Sequence, residues 1–143
     1  MKTVYLVSCV KQKAEDSRPA EELYISDWFK KARSYVESRI GPQDRWYILS
    51  AKYHLVEPSQ IISPYNLTLN ETSRPDRLQW GSYVLDQLRP IANAGDLVVI
   101  LAGRKYREAL ESDLRARRCR VKVPMKGLGL GQQKAWLVRH TKH

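Results

Sequence analysis

The 143-residue sequence holds only two cysteines, Cys9 and Cys119, and they share no CxxC spacing. A disulfide framework and a cysteine-based zinc site are therefore not expected, and a reducing, cytoplasmic setting is. No apolar run reaches the roughly 18 residues of a membrane span. The opening MKTVYLVSCVKQK has apolar residues only from Val4 to Val10. That is too short for a secretory signal with a cleavage site and reads better as a first buried strand. Repeats and low-complexity stretches are missing. The HExxH, GxSxG and Asp-x-Asp patterns are missing too, which takes support from metal-dependent nucleases and hydrolases. Neither a metal nor a cofactor is expected. Acidic residues are also in short supply, at 15 against 25 basic ones.

That imbalance, a net charge of +10, is unevenly spread. Residues 1–100 carry 13 basic and 12 acidic side chains, whereas residues 101–143 carry 12 and 3. The densest cluster is Arg115, Arg117, Arg118 and Arg120 with Lys122. Such asymmetry points to a polyanionic partner, with nucleic acid ahead of an anionic membrane; DNA is expected before RNA, although the charge itself does not separate them. The plainer alternative is a solvated basic face that serves solubility. At 43% hydrophobic and 28% charged residues, the chain can bury a core, and its length suits one domain over residues 1–143.

Short continuous apolar runs alternate with longer amphipathic ones. Val4–Val7, Trp46–Leu49, Leu97–Leu101 and Cys119–Val123 read as strands. A helix carrying Trp28, Phe29, Ala32, Tyr35 and Val36 is expected to stop at Gly41-Pro42. Ser73 is a candidate N-cap for a second helix with Leu78, Val84, Leu85 and Leu88. Gly103 opens a third, with Tyr106, Ala109, Leu110 and Leu114, and Gly131 leads into a last short one. Ala51 to Thr72 reads as a long connection. Buried strands separated by helices predict an α/β fold, a three-layer sandwich around a mainly parallel four-stranded sheet.

In such a sheet ligands bind beyond the carboxyl ends of the strands. Four loops should therefore converge there: Ser8–Lys11, Ser50–Tyr53, Gly103-Arg104 and Pro124–Gln133. In the first, Ser8, Lys11 and Lys13 suit a phosphate, and Cys9 is either a nucleophile or a small buried residue. In the second, Lys52 suits phosphate, Tyr53 suits stacking on a base, and Glu57 beyond it suits acid–base work. His54 titrates near neutrality, although a lone loop histidine is commonly incidental. Tyr65, in Ser63-Pro64-Tyr65-Asn66, could wall a base pocket or simply belong to a proline turn. In the last loop Gly127, Gly129 and Gly131 alternate, and Lys126, Gln132 and Gln133 could complete a phosphate or base contact. The spacing matches neither the Walker loop nor GxGxxG.

Several strings together resemble a known family. They are Leu6-Val7-Ser8-Cys9-x-Lys11-x-Lys13, Pro19-Ala20-x-x-Leu23-Tyr24-x-Ser26-x-x-Phe29 and Trp46-x-Ile48-Leu49-Ser50-Ala51-Lys52-Tyr53. They continue through Leu55-Val56-x-Pro58, Ile62-x-Pro64-Tyr65-x-x-Thr68-Leu69 and Gly127-Leu128-Gly129-x-Gly131-Gln132. The chain resembles small prokaryotic and phage domains of unknown function grouped with YaaA-like proteins. It is more distantly similar to the Ser-rich-loop domain of archaeosine synthase and to uracil-DNA-glycosylase-like folds. The family pattern usually has glycine where His54 stands; if that position needs a positive φ, histidine tolerates it poorly, and either the turn differs here or His54 has a local role. The Asp-plus-His pair of a standard uracil glycosylase is absent.

The resemblance implies an enzyme of modified-base metabolism that cleaves an N-glycosidic bond or exchanges a base, without a cofactor. Glu57, Glu22 and Tyr53 are then the catalytic candidates. Ser8, Lys11, Lys52, Tyr65, Arg104, Lys126, Gly129, Gly131 and Gln132 are the binding candidates, and the arginine cluster is a basic surface for the backbone. The alternatives are a non-catalytic DNA- or RNA-binding protein and a hydrolase of free nucleosides or nucleotides.

Overall fold

A computed structural model describes residues 1–143. Strand β1 (Thr3–Ser8) buries five of its six residues, as its Val, Tyr and Leu content favours. Strand β2 (Arg18–Pro19) and the single turn α1 (Ala20–Leu23) lead to helix α2 (Asp27–Arg39). The Ser26 hydroxyl caps α2 by accepting the Phe29 N–H at 3.1 Å. The helix buries Trp28, Phe29, Ala32, Tyr35 and Val36, the face that the sequence spacing marks. Strands β3 (Arg45–Ser50), β4 (His54–Val56) and β5 (Ile61–Ile62) follow. A 3₁₀ turn at Leu69–Glu71 precedes helix α3 (Arg74–Leu88), capped as expected by Ser73. The chain ends with β6 (Leu97–Leu101), α4 (Arg104–Arg107), α5 (Glu111–Ala116), β7 (Arg120–Lys122) and α6 (Leu130–His140). No helix is long and apolar enough to cross a membrane.

The main sheet has the order β4-β3-β1-β6-β7, and β2 pairs with β5 in a separate two-stranded sheet. Strands β3, β1, β6 and β7 run parallel, and they are the four strands expected from the sequence. The sheet nevertheless has five strands, not four, because β4 folds back antiparallel onto β3. Three residues, His54-Leu55-Val56, are too few to show a period, so the sequence hides this hairpin inside a connection. Its outer edge is not left open. The Gln87 side chain accepts the Leu55 N–H at 2.9 Å and donates to the Leu55 carbonyl at 3.1 Å. One amide thereby does the work of a neighbouring strand.

Two further expectations change. The helix expected to run from Gly103 through Leu114 is broken into α4 and α5, with Leu110 between them at φ −121°. The segment between them packs closely on α3: a Cβ on Gly81 would lie 2.6 Å from the Ala109 Cβ and 2.7 Å from its carbonyl oxygen. Leu78, assigned to the core face of α3, is 52% exposed, and Trp80 and Gly81 are buried instead.

The connectivity decides where a ligand can reach. The chain leaves β1 for β3 on one side, then returns past β1 to β6 and β7 on the other. The direction reverses between β1 and β6, and the loops leaving their carboxyl ends part there. Those loops begin at Cys9 and Ala102.

Candidate functional site

A cleft of about 420 Å³ opens where the β1 and β6 loops part. Ser8, Cys9, Lys11, Trp28, Gly103 and Gln133 are among the residues that line it. Gln133 ties its walls together: its side-chain carbonyl accepts the Trp28 Nε1–H at 2.8 Å, and its amide donates to the Leu128 carbonyl at 2.9 Å. A smaller hollow of about 150 Å³ adjoins it, shares Gly103 and Gln133, and adds Arg104, Arg107 and Lys126. Arg104 also lines a third cleft, of about 500 Å³, with Arg74, Arg77 and Lys105.

Together the three clefts carry eight cationic side chains, Lys11, Lys134, Arg104, Arg107, Lys126, Arg74, Arg77 and Lys105. They carry only two carboxylates, Asp27 and Glu108, and both are neutralised locally. Asp27 accepts from Lys31 at 2.6 Å and pairs with Lys134 at 3.4 Å, with the Lys31 bond the main reason its pKa is lowered. Arg104 donates to Glu108 and holds that carboxyl below its usual range. Arg107 pairs with Glu111 at 3.3 Å, which leaves Lys11, Lys126, Arg74, Arg77 and Lys105 without a carboxylate partner and the clefts with a net positive charge that attracts anions.

Behind the first loop lies a hydroxyl cluster. Ser50 donates to the Tyr65 hydroxyl at 2.8 Å, and the Tyr65 and Tyr24 hydroxyls are 2.6 Å apart. The Tyr106 hydroxyl lies 3.3 Å from the Cys9 sulfur and accepts the Leu69 N–H at 3.3 Å. Burial pushes the Tyr24, Tyr65 and Tyr106 phenols well above their usual pKa. They stay protonated and act as neutral donors and acceptors. The Lys13 ammonium sits 4.4 Å from the Tyr65 ring centroid, and burial lowers its pKa. This cluster fastens the ends of β1 and β3 to the Tyr65–Leu69 segment.

The structure brings together only part of the expected rim. Ser8, Lys11, Arg104 and Lys126 do meet along the clefts. Tyr65 faces the hydroxyl cluster, and Tyr53 lies edge-on to it at 5.6 Å with Lys52 over its ring at 5.3 Å. Lys52 and Tyr53 therefore flank the clefts rather than line them. Glu57 is carried away from the rim, because β4 runs back along β3 from Ser50 toward Ile48. Glu22 is exposed on α1, beside the Pro58–Gln60 turn that bonds to Ala20 and Glu21. Neither carboxylate faces a cleft. Gln132 is occupied as well, accepting the Gly129 N–H at 3.0 Å and so closing the first turn of α6. Of the three alternating glycines only Gly127 has a positive φ, +83°; a Cβ on Gly129 or Gly131 would crowd nothing in the chain.

The arginine cluster is displaced furthest. Arg120 pairs with Leu97, the first residue of β6, at the amino end of the sheet. Arg117 donates to the Leu85 carbonyl at 2.8 Å, and Arg115 pairs with Glu111 at 3.5 Å. Arg118, at φ +67°, ends α5: the Cys119 N–H reaches the Leu114 carbonyl and the Arg118 N–H reaches that of Arg115. This group closes a helix and faces away from the clefts.

Sequence reasoning missed Arg74, Arg77 and Lys105 as binding candidates and Tyr24 and Tyr106 as anchors. The three-residue spacing of Arg74 and Arg77 at the start of a helix does put both on one face, a signal that was available. Lys105 joins them only because α4 packs against the 3₁₀ turn, where its ammonium donates to the Asn70 carbonyl at 3.0 Å.

Comparison with known proteins agrees with the resemblance at its coarser level. A model of a family of unknown function, DUF6884, matches residues 4–139. The chain belongs to this family. It is similar to the uncharacterized protein YfjM of Bacillus subtilis (strain 168), at 29% identity over 124 residues, 78% of this chain and 77% of that protein. Two UPF0246 proteins, of the YaaA family, also match. That of Rhizorhabdus wittichii is 30% identical over 107 residues, 68% of this chain. That of Marinomonas sp. (strain MWYL1) is 26% identical over 107 residues, 67% of this chain. This chain spans 42% and 40% of the length of these two relatives. No solved structure matches.

Proposed function

We propose that the protein binds nucleic acid along the carboxyl edge of its sheet, with phosphates on the three joined clefts. The observation that carries this reading is the continuity of eight cationic side chains through shared Gly103, Gln133 and Arg104; Arg104, Arg107 and Lys134 are paired with Glu108, Glu111 and Asp27, and the other five have no carboxylate partner. Backbone binding is mostly electrostatic and needs such a track more than it needs a base-specific motif. The reading supposes the three-layer arrangement expected from the sequence, with helices over both faces and the carboxyl edge open. It is compatible with the more distant likeness to archaeosine synthase and glycosylase-like folds, and DNA remains the first partner to test.

Base excision or exchange is the weaker reading on this geometry. Oxocarbenium-like charge needs a carboxylate close to the sugar, and Glu57 and Glu22 stand outside the clefts. Binding of single-stranded DNA, double-stranded DNA and tRNA across a salt series, with products checked for released base, tests both readings. Affinity falling steeply with salt, and a shallower slope in the Arg74→Ala/Arg77→Ala variant, supports the binding reading. Salt-insensitive or absent binding would sink it. Released base would restore the enzyme and reopen the search for its carboxylate.

A further inference from the structure

On the other side of α3 from the cationic clefts lies a second kind of hollow. It measures about 420 Å³ and is lined by His54, Leu67, Leu69, Asp76, Trp80 and Tyr83, among others. Its chemistry differs from the clefts, since aromatic and aliphatic surface dominates and the one charge is a carboxylate. The His54 and Tyr83 rings lie 5.1 Å apart at 53°, and Tyr83 is 55% exposed. His54 is held at φ +66°, a backbone conformation that suits glycine and costs a histidine energy. Nothing in the fold requires an imidazole there: the ring makes no hydrogen bond, and its one aromatic neighbour is exposed Tyr83.

This hollow and the 500 Å³ cationic cleft share a wall. Thr72 lines the hollow, and its carbonyl accepts from Arg77 of the cleft at 2.7 Å. Asn70, in the same turn, accepts from Lys105. Helix α3 divides its surface accordingly. Asp76, Gln79 and Tyr83 face the aromatic side, while Arg74, Arg77 and Leu78 face the cationic side. Planar apolar surface beside phosphate-binding cations, with a carboxylate and an amide at the rim, has the chemistry of a nucleotide's two ends.

We propose that the His54–Tyr83 hollow is a subsite for one unpaired nucleobase, whose strand lays its phosphates on Arg74 and Arg77 across the Thr72 wall. Tyr83 and His54 give the ring faces for stacking. Asp76 accepts from an exocyclic amino group and Gln79 offers an amide to the base edge. The proposal rests on the nucleic-acid reading for its phosphates, and it adds a preference for single strands that the cationic clefts alone do not have.

The test compares binding of a short single-stranded DNA oligonucleotide with an equally long strand of abasic sites, using wild type, Tyr83→Ala and His54→Gly. The base-bearing strand is expected to bind about tenfold more tightly than the abasic one, and each variant to lose about that factor for the base-bearing strand only. His54→Gly relieves the backbone, so its lost affinity cannot be unfolding. Equal affinity for both strands, or variants that change nothing, would overturn the subsite. If neither strand binds, the nucleic-acid reading falls by itself. Adenosine 5′-monophosphate added to the full chain then decides the hollow: shifted NMR signals of the His54 and Tyr83 rings support it, and unshifted signals reject it.

Discussion

At the scale of single residues, two non-glycine residues with positive φ mark where this chain accepts strain. For His54, replacement by glycine removes about 1–2 kcal/mol of left-handed strain and adds about 0.5–1 kcal/mol of chain entropy. His54→Gly should therefore be the more stable protein by up to about 1.5 kcal/mol, measured as a higher urea midpoint at unchanged slope. The imidazole adds a pH dependence. Burial lowers the His54 pKa in the folded chain, so between that value and about 6.5 the unfolded chain binds more protons. This share of stability is complete above about pH 6.5 and declines as the pH falls toward the folded value. His54→Asn, which tolerates the same φ, should flatten that part of a stability-against-pH curve. Gly81 is the opposite case, with ordinary φ but no room. Gly81→Ala forces α3 and the Ala109 backbone apart and should cost about 1–3 kcal/mol, seen in chemical denaturation.

Among the elements, the ends and edges hold the information that periodicity does not. Helix α5 is closed by Arg118 in the position that glycine normally takes, with the 6→1 and 5→2 bonds of a Schellman motif already formed. Arg118→Gly should stabilise the protein by roughly 0.5–1 kcal/mol in thermal denaturation, and a loss instead would mean that the arginine makes a contact outweighing its backbone strain. The β4 edge depends on one side chain in the same way. Gln87→Leu leaves the Leu55 N–H and carbonyl without protein partners and should cost about 1–2 kcal/mol, with faster hydrogen exchange confined to the β3–β4 hairpin. The four parallel strands, by contrast, stand out in the sequence as unbroken apolar runs, and the Ser26 and Ser73 caps set the starts of their helices.

For the whole molecule, the distribution of charge along the chain misleads. The Arg115–Arg120 cluster is the densest in the sequence and sits at the amino end of the sheet, where helix closure and carbonyl contacts occupy it. The cationic clefts draw on residues from Lys11 to Lys134, brought to the opposite end by the sheet order. Substituting Arg118 and Arg120 by Ala should leave nucleic-acid affinity and its salt slope nearly unchanged. Substituting Arg74 and Arg77 should lower both, with the slope falling by about 1 for each arginine lost. Equal losses from the two pairs would mean that the strand contacts both ends of the sheet.

The sequence by itself determined the α/β class, the parallel strands, the Ser73 cap and the end of the sheet where loops can meet a ligand. Each is written in local signals: apolar runs, capping residues and helical spacing act over a few neighbouring positions. Glycine at the His54 position in the family pattern left two readings, a positive φ or a different turn, and the structure shows the first, at φ +66°. Tertiary structure decided the rest. Only the pairing of β4 with β3 shows that Glu57 leaves the rim, and only the packing of α3 against α4 brings Arg74 and Arg77 to Arg104 and Lys105. A site assembled from separate elements depends on register and crossover, and long-range packing sets both.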